Sequence, residues 1–491
     1  MLALLTLLTL ADTPNVVLVL ADDLGYGDVQ PLNPKSSLPT PGFNRLAEEG
    51  LTFTDAHTSA AVCTPTRYAL LCGRHCWRTR LKKGVLGGYS APLIESDRET
   101  LPRLLGRAGY HTGVVGKWHL GLGWQTKAGT SELTDRERDN FSRPPARGTV
   151  DFSQPVTGGP LTAGFDECFL YPASLDMSPY VFLKNDRAVA LPSETIKTSP
   201  FPAFYREGEI APEFRIVDTL DRLTEQALAF ISRGAERDQP FFLYFPMTAP
   251  HKPVIPHERF VGTSELGPYG DFVVQTDDVI RRLLDHLDAL DLSAETLLIV
   301  TSDNGSFMRL TDETGHVEDP GQQAFRPDNH RPNGPWRGTK ADIYEAGHRV
   351  PFFVRWTGEL PGGRTIDAAI CQTDVLATLA ELTQTDFDRQ SARDSFSMVG
   401  VAQGEASTRR PIVHQSADGT LAIRDRSLKL IVSSGSGGRE RPKGTAWQRP
   451  YQLYDLAADP AETRNLADAR STEVERLERM LLEIADGDEL R

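Results

Sequence analysis

The stretch NVVLVLADD, residues 15–23, decides the fold of this 491-residue chain. Its apolar run ends directly in two carboxylates, Asp22 and Asp23. An uninterrupted apolar run of this length is typical of a strand that is buried on both faces of a sheet. Similar runs occur further along the chain, at 111–116, 241–245, 296–301 and 350–356.

Amphipathic helical patterns lie between these apolar runs, at 40–50, 100–108, 214–233 and 271–290. Buried strands that alternate with amphipathic helices predict an α/β fold with a largely parallel sheet between helices. Two polar stretches rich in Gly, Pro and charged residues, 125–160 and 305–335, are predicted to be long surface loops.

The last hundred or so residues have a different texture. From about residue 386 onward, the chain has short strand-like runs at 411–415, 421–424 and 428–432, followed by a charged helical segment at 471–484. Short strands in close succession predict a small antiparallel sheet. We therefore expect a large N-terminal domain over 13–385 and a C-terminal subdomain over 386–491.

The first residues, 1–12, form a leucine-rich apolar segment. It is too short to span a bilayer and is typical of a secretory signal peptide. We expect cleavage near Ala11 and a periplasmic or secreted protein. No later apolar run reaches the length of a transmembrane helix.

The composition excludes several classes of protein. Hydrophobic residues make up 39% and charged residues 24% of the chain, which is ordinary for a globular protein with a sizeable core. A net charge of -14 argues against a general nucleic-acid binder. The five cysteines, Cys63, Cys72, Cys76, Cys168 and Cys371, are too few for a disulfide scaffold. Most of them are predicted to be buried thiols.

Polar side chains follow four of the predicted strands at the point where each strand ends. They are the Asp22-Asp23 pair, Lys117 with His119, His251, and Asp303 with Asn304. Taken singly, such a residue is more often a helix cap or an ordinary surface or core histidine. Because open α/β sheets bind ligands at the carboxyl ends of their strands, the groups together predict one site at that edge.

Part of this predicted site is built from oxygen ligands. Asp22, Asp23, Asp303 and Asn304 offer carboxylate and amide oxygens, but no imidazole or thiolate. Packed carboxylates repel one another unless a cation lies between them. An oxygen-only set suits a hard divalent cation, and Ca²⁺ tolerates an irregular set better than Mg²⁺ does. We therefore predict one Ca²⁺ ion.

A second group of candidate residues is cationic: Arg67, Lys117, His119, His251 and Lys340. Positive side chains beside a divalent cation indicate that a strongly anionic group, such as a sulfate or phosphate ester, is bound among them. Taken alone, Lys340 is better explained as a solvated loop lysine.

Cys63 begins the segment CTPTR, residues 63–67, ahead of a helical pattern. Pro65 suits the first turn of a helix, so Cys63 is expected near the positive end of the helix dipole. A thiolate nucleophile is one interpretation. It is disfavoured because no Cys–His protease pattern surrounds Cys63 and because soft sulfur is a poor companion for Ca²⁺.

Several of these segments resemble the signatures of the type I sulfatase family. Cys63-x-Pro-x-Arg67 with the downstream Leu-x-x-Gly-Arg resembles the first signature, and Gly116-Lys117-Trp118-His119-Leu120-Gly121 resembles the second. Further matching motifs follow in the family's order: Asp22-Asp23, Pro250-His251, Asp303-Asn304-Gly305, Arg337-Gly338-x-Lys340 and Leu453-Tyr454-Asp455-Leu456. The resemblance implies an alkaline-phosphatase-like sandwich, with a large mixed, mostly parallel sheet and a small C-terminal four-stranded sheet.

The resemblance also implies the chemistry of the site. A formylglycine-generating enzyme oxidises the cysteine at position 63 to formylglycine, whose hydrated aldehyde is the nucleophile. Asp22, Asp23, Asp303, Asn304 and a formylglycine oxygen bind Ca²⁺. Arg67 and Lys117 are implied to orient the formylglycine. His251 and Lys340 are implied to hold the sulfate and to assist the leaving oxygen. His119 is implied to remove a proton afterwards.

The sequence departs from the family pattern at a few variable positions. Thr64 and Thr66 stand where Ser or Ala is common, and Ala346 stands where many relatives have Gly. All the implied catalytic residues are present, so we expect an active enzyme despite these departures.

The predicted substrate is a sulfated carbohydrate, because the segments 164–166 and 172–177 resemble those of exported bacterial glycan sulfatases. His330 and Arg331, in a polar loop, are candidate sugar contacts. Two alternatives stay open: a phosphodiesterase or phosphatase of the same superfamily, and a non-catalytic anion- or glycan-binding protein if Cys63 is not converted.

Overall fold

A computed structural model describes residues 13–129, 134, 144–405 and 411–485. Within these residues the largest sheet has ten strands. Their order across the sheet is β15 (Arg364–Ile366), β2 (Leu51–Phe53), β14 (Phe352–Arg355), β11 (Thr296–Ser302), β1 (Asn15–Asp22), β10 (Phe241–Pro250), β4 (His111–Lys117), β5 (Glu167–Tyr171), β6 (Leu183–Lys184) and β7 (Arg187–Ala188).

The centre of this sheet is parallel. β1 runs parallel to β10 on one side and to β11 on the other, with Val17 opposite both Leu243 and Leu298. β4 is parallel to β10 and to β5. The carboxyl ends of these strands therefore lie along one edge, and the predicted mostly parallel α/β fold is confirmed.

Six strands of the sheet differ from expectation: β14 differs in its direction, and β2, β5, β6, β7 and β15 were not predicted. β14, within the predicted run 350–356, is antiparallel to β11 and to β2, so its carboxyl end points away from that edge. β5 was not predicted, although its last four residues are buried. Its short length and its charged first residue, Glu167, conceal it in the sequence.

Helices cover the sheet in two groups. Helices α1 (Pro41–Glu49), α4 (Thr219–Ala235) and α5 (Gly267–Ala289) pack together, and so do α2 (Cys63–Cys72), α3 (Leu101–Arg107) and α7 (Val375–Leu382). The remaining helices of the described residues are the short α6 (Glu345–His348) and α8 (Val399–Ala402), and the C-terminal α9 (Ser471–Ile484).

Local sequence explains where two of these helices lie. α5 begins at Gly267, ahead of the predicted start at 271, because Pro268 suits the first turn. α4 packs closely on the sheet at Gly113 of β4, where a Cβ atom would lie 2.2 Å from the Phe230 ring. A side chain at that position would push the helix away from the sheet.

The C-terminal region contains the predicted antiparallel sheet with its helix. Its strands pair in chain order: β17 (Ile412–Gln415), β18 (Leu421–Asp425), β19 (Leu428–Ile431) and β20 (Gln452–Asp455). Val474, Leu477 and Leu481 of α9 form a core with one face of this sheet. Residues of the other face, such as Tyr454, pack against Tyr344 of the main body. The domain boundary near 385 stays a prediction.

Short two-stranded ladders complete the described secondary structure: β3 (Ala56–His57) with β16 (Ile370–Cys371), β8 (Glu194–Ile196) with β9 (Gly208–Ile210), and β12 (Arg309–Leu310) with β13 (Ala324–Phe325). The last ladder lies in the predicted surface loop 305–335. This stretch is partly internal, since Phe307 and Phe325 are fully buried.

Other predictions fall partly or wholly outside the described residues. The predicted signal peptide, 1–12, lies outside them, and so does most of 130–143 in the predicted loop 125–160. Among the helices that the structure describes, none combines the length and the apolar character needed to cross a membrane. Cys63, Cys72, Cys76 and Cys168 are buried thiols, as predicted.

Candidate active site

The ends of β1 and β11 are locked together at the sheet edge. Asp22 is the last residue of β1, and Asp23 follows it with a left-handed φ of 66°. The Asp23 amide donates to Asp303 Oδ1 at 3.1 Å, and the Asp303 amide donates to the Ala21 carbonyl at 3.0 Å. These bonds hold three carboxylates, all fully buried, within a small volume.

Helix α2 brings Cys63 to these carboxylates. Cys63 is the first residue of this helix, and every residue of the helix is buried. The Cys63 Sγ lies 3.6 Å from Asp22 Oδ1 and 3.3 Å from Lys340 Nζ. Burial, together with the negative charge of Asp303, raises the pKa of the Cys63 thiol to about 12. An unmodified Cys63 is therefore protonated at neutral pH, which argues against a thiolate nucleophile.

Arg67 lies one helical turn after Cys63 and points to the same place. Its Nε and Nη2 donate to Asp303 Oδ2 at 3.0 and 2.7 Å, and its Nη1 donates to the Lys117 carbonyl at 3.0 Å. Burial alone would lower the pKa of Arg67, but Asp303 and Asp22 raise it above its ordinary value. The guanidinium thus fixes Asp303 and the end of β4 at once.

Two buried lysines pair with the aspartates of β1. Lys117 Nζ lies 2.6 Å from Asp22 Oδ2, and Lys340 Nζ lies 2.5 Å from Asp23 Oδ1. Lys340 is only 7% exposed, so it is not a solvated loop residue. Burial would lower the pKa of Lys340, but Asp23 and the Cys63 side chain raise it. Lys340 therefore keeps its proton.

Two neutral histidines complete the cluster. Burial, then the positive charges of nearby lysines, lowers the pKa of both His119 and His251 well below the usual value. His119 Nε2 lies 2.8 Å from the Leu86 carbonyl, and His251 Nδ1 lies 2.5 Å from the Lys252 carbonyl. Since a carbonyl only accepts, these nitrogens carry the protons. The basic nitrogens are His119 Nδ1 and His251 Nε2.

These two basic nitrogens have different surroundings. His119 Nδ1 is buried and has no hydrogen-bond partner in the described part of the chain. His251 Nε2 lies 3.6 Å from Asp23 Oδ2. A buried imidazole with an unused lone pair is suited to accept a proton from a bound group.

The oxygen-rich cluster fits a hard divalent cation. Asp23 Oδ2 and Asn304 Oδ1 are buried acceptors that lack a hydrogen-bond partner among the described residues. Such orphaned oxygens cost free energy unless something binds them. Potential ligand atoms of Asp22, Asp23, Cys63 and His251 lie within 4.8 Å of one another. Burial raises the pKa of Asp22 to about 7, so a cation is also needed to keep it fully ionised.

Ser174, to which sequence analysis assigned no role, lies in this cluster. Its Oγ lies 3.2 Å from Lys117 Nζ and 3.4 Å from His251 Nδ1. Ser174 lies just beyond the end of β5, as Asp23 lies beyond the end of β1, so a correct prediction of β5 would have drawn attention to it.

The two predicted sugar contacts lie in different surroundings. His330 is buried, and its Nε2 lies 2.8 Å from Asp28 Oδ1. Asp28 also accepts a hydrogen bond from the Tyr269 hydroxyl at 2.6 Å. These contacts give His330 a structural role. Arg331 is exposed. Contact of either residue with a sugar stays a prediction.

Fold and site together define a class of protein. A mostly parallel sheet presents a carboxylate cluster, buried cations and a helix-start cysteine at one edge, which suits an enzyme that cleaves a strongly anionic ester. The family model named Sulfatase matches residues 14–385. The chain belongs to the sulfatase family, within the alkaline phosphatase superfamily, and is a sulfuric ester hydrolase.

Individual relatives agree with this family. An N-acetylgalactosamine-6-O-sulfatase of Bacteroides thetaiotaomicron is 33% identical, with 95% of this chain and 92% of the relative covered. The steryl-sulfatase of Mus musculus is 30% identical, with 94% and 80% covered. A solved sulfatase structure, from work on the metabolism of multiple glycosaminoglycans by Bacteroides thetaiotaomicron, aligns with a TM-score of 0.81 and 31% identity, with 96% and 99% covered.

Proposed function

We propose that this sulfatase hydrolyses a sulfate ester on a carbohydrate, with formylglycine at position 63 as nucleophile and one bound Ca²⁺. The observation that carries the proposal is the position of Cys63. Its Sγ lies between Asp22 and Lys340 at the start of a buried helix. The name of the N-acetylgalactosamine-6-O-sulfatase relative supports a sulfated amino sugar as substrate.

The proposed calcium ligands are Asp22, Asp23, Asp303, Asn304 and an oxygen of residue 63. Bound Ca²⁺ would stabilise the negative charge on the oxygens of the sulfate ester. Formylglycine would supply a hydroxyl nucleophile from its hydrated aldehyde. The orphaned oxygens of Asp23 and Asn304 support this ligand set. Mg²⁺ is less suited, because it demands a regular octahedral arrangement.

The chain's own cations hold the sulfate group. Lys340, which is close to residue 63 and keeps its proton, is proposed to bind the sulfate and to assist protonation of the leaving oxygen. His251 is proposed to share this task as an imidazolium: its Nδ1 proton is committed to the Lys252 carbonyl, so its Nε2 must first take up a second proton, which the negative charge of a bound sulfate favours. Arg67 and Lys117 orient residue 63 through Asp303 and Asp22.

A base is required after the leaving alcohol has departed. His119 is proposed for this role because its Nδ1 has a free lone pair and its ring is neutral. The hydrogen bond of its Nε2 to the Leu86 carbonyl fixes the ring in the tautomer that can accept a proton.

Three organisational proposals accompany this function. Residues 13–385 form the catalytic domain and 386–491 the C-terminal subdomain. Residues 1–12 act as a signal peptide, which leads to a periplasmic or secreted enzyme. A formylglycine-generating enzyme modifies Cys63 during maturation. The proposed partners are thus that enzyme and a sulfated glycan.

Both alternatives are disfavoured by specific features. A phosphodiesterase or phosphatase of the superfamily would have Ser or Thr as nucleophile and histidines among its metal ligands, whereas position 63 is Cys and the proposed ligands are oxygens. A non-catalytic glycan-binding protein leaves the free Nδ1 of His119 unexplained.

The proposal is tested by sulfate release. The full chain, produced together with a formylglycine-generating enzyme and loaded with Ca²⁺, is assayed with N-acetylgalactosamine 6-sulfate and with a phosphodiester. Release of inorganic sulfate, lost in Cys63→Ala, is the expected result. Cleavage of the phosphodiester alone, or no cleavage by protein with confirmed formylglycine, would overturn it.

A further inference from the structure

Lys252 carries a charge beside the site that the proposed mechanism does not use. It directly follows His251 and is half-buried. Across the described residues its ammonium has no hydrogen bond and no carboxylate within ion-pair distance. It lies instead over two aromatic rings, 5.3 Å from the centroid of Phe204 and 5.7 Å from that of Phe307. The carboxylate of Asp176, which raises the pKa of Lys252, is paired with Arg206.

Arg439 is a second such cation, and it shares a neighbour with Lys252. Its Nη1 donates to the Phe307 carbonyl at 3.1 Å, while its backbone amide donates to Asp342 Oδ1 at 2.5 Å. The side chain is exposed, and it has no carboxylate within ion-pair distance in the part of the chain that the structure describes. Its Nε and Nη2 are thus available to a ligand.

Both cations are tied to the proposed active site. Phe307, which contacts both, follows Asn304 by three positions in the chain. Burial, then the charge of Arg439, lowers the pKa of Lys252 to about 8, and Lys340 and Asp23 also act on it. Desolvation lowers the pKa of Arg439, and the negative charges of Asp23 and Asp342 oppose this shift. The two cations are therefore electrostatic neighbours of each other and of the sulfate-binding groups.

Two like charges close together repel each other, and among the described residues neither is paired directly with a carboxylate. A bound anion would relieve this repulsion and accept charge-assisted hydrogen bonds from both side chains.

We propose that Lys252 and Arg439 form a second anion subsite, which binds a further negatively charged group of the sulfated substrate. The group is a second sulfate or a carboxylate on the same or an adjacent sugar. This inference rests on the proposed function and narrows its substrate class to a glycan with more than one anionic group. Together, the two cations select such a glycan over a monosulfated one.

The test compares substrates that differ only in the second charge. Initial rates are measured for N-acetylgalactosamine 6-sulfate, for N-acetylgalactosamine 4,6-disulfate, and for a disaccharide that joins the 6-sulfated sugar to a uronate. The variants are Lys252→Gln, Arg439→Gln and the conservative Lys252→Arg. Lys184→Gln is the matched control, because Lys184 is an exposed lysine of β6 outside the site.

Lys252→Gln and Arg439→Gln are each expected to raise KM about tenfold for a substrate with a second anion, which is typical of losing one charge-assisted hydrogen bond. KM for the monosulfated sugar is expected to change by less than about threefold, and Lys252→Arg should restore most of the loss. A selective effect on the disulfate identifies sulfate as the ligand, and one on the disaccharide identifies the carboxylate. Equal losses on all three substrates would overturn the subsite.

The same comparison without turnover separates this inference from the proposed function. Calorimetric binding of the three sugars is measured with calcium-loaded Cys63→Ala protein, with and without Lys252→Gln. A second charge that strengthens binding only when Lys252 is present supports the subsite, even if no sulfate is released. A second charge that has no effect on binding contradicts the subsite, even if the monosulfated sugar is hydrolysed.

Discussion

Lys340 Nζ lies 3.3 Å from Cys63 Sγ, although 277 positions separate the two residues in the chain. The same ammonium lies 2.5 Å from Asp23 Oδ1. The fold thus brings a loop lysine, a helix-start cysteine and a strand-end aspartate to one point. This contact turns Lys340 from a residue that sequence alone cannot distinguish from a solvated lysine into a central member of the site.

Replacement of Cys63 should abolish sulfate release without unfolding the protein. Neither Cys63→Ala nor Cys63→Ser can present a hydrated aldehyde, so we expect a fall in kcat of about a thousandfold or more. Circular dichroism should show native secondary structure. The matched control is Cys168→Ala, which removes a buried thiol on β5 away from the cluster. Wild-type rates for Cys63→Ala would contradict the proposed nucleophile.

Loss of Lys117 should destabilise the metal-free protein. Lys117→Met leaves Asp22 buried, with Arg67, 3.6 Å away, as its remaining ion-pair partner among the described residues. Removal of one partner of a buried ion pair costs about 3–5 kcal/mol. Denaturant unfolding in the presence of a chelator measures this loss, with the exposed Lys184→Met as control. Added Ca²⁺ should recover part of the stability. A change below about 1 kcal/mol would contradict the ion pair's role.

Calcium should stabilise the fold as well as support activity. At a concentration of a hundred times Kd, a ligand that binds only the native state adds about 2.7 kcal/mol to the free energy of unfolding. A chelator should therefore lower Tm, and Ca²⁺ should restore it more effectively than Mg²⁺. Asn304→Ala removes one of the orphaned oxygens and should reduce the calcium-induced shift, whereas Asn329→Ala should not. An unchanged shift in Asn304→Ala would remove Asn304 from the ligand set.

A buried histidine cluster between the main body and the C-terminal sheet should make stability depend on pH. His348 and His414 stack with ring centroids 3.7 Å apart, and His57 Nδ1 lies 3.0 Å from His348 Nδ1. Burial lowers the pKa of all three rings below 6.5 in the folded protein, and the Lys429 ammonium adds to this for His348 and His414.

The sign of the effect follows from these lowered pKa values. Below about pH 6.5 the unfolded chain binds protons that the folded rings exclude, so the free energy of unfolding falls as pH decreases. Each ring contributes a slope of up to about 1.4 kcal/mol per pH unit. Denaturant unfolding between pH 7.5 and 5.5 measures the total slope of the free energy of unfolding with pH. His414→Phe should reduce this slope by the contribution of one ring, up to about 1.4 kcal/mol per pH unit. An unchanged slope in His414→Phe would show that this ring is not held neutral.

Much of the fold was predictable because its central strands are continuous apolar runs. The ends of β1, β4 and β11 could be located from sequence to within about two residues, and the polar residues that follow them could be assigned to one edge. β10 instead runs on to Pro250, past its predicted end at 245. The five-residue β5 escaped notice, and with it Ser174. The antiparallel direction of β14 depends on its pairing partners, which no local pattern reveals.

Contacts between distant residues account for what the sequence could not predict. The pairing of His330 with Asp28 spans 302 positions, and a polar loop composition gives no sign that this histidine is buried. The tautomers of His119 and His251 depend on carbonyl groups whose positions only the folded backbone defines. Lys252 and Arg439 likewise become neighbours only through Phe307.

The most direct test of the account is mass spectrometry of the tryptic peptide that spans residues 46–67. The protein is produced in a host that is shown to convert a known sulfatase. The expected mass corresponds to an aldehyde in place of the Cys63 thiol. An intact thiol at position 63 in that host would contradict the proposed nucleophile and would favour a non-catalytic, glycan-binding protein.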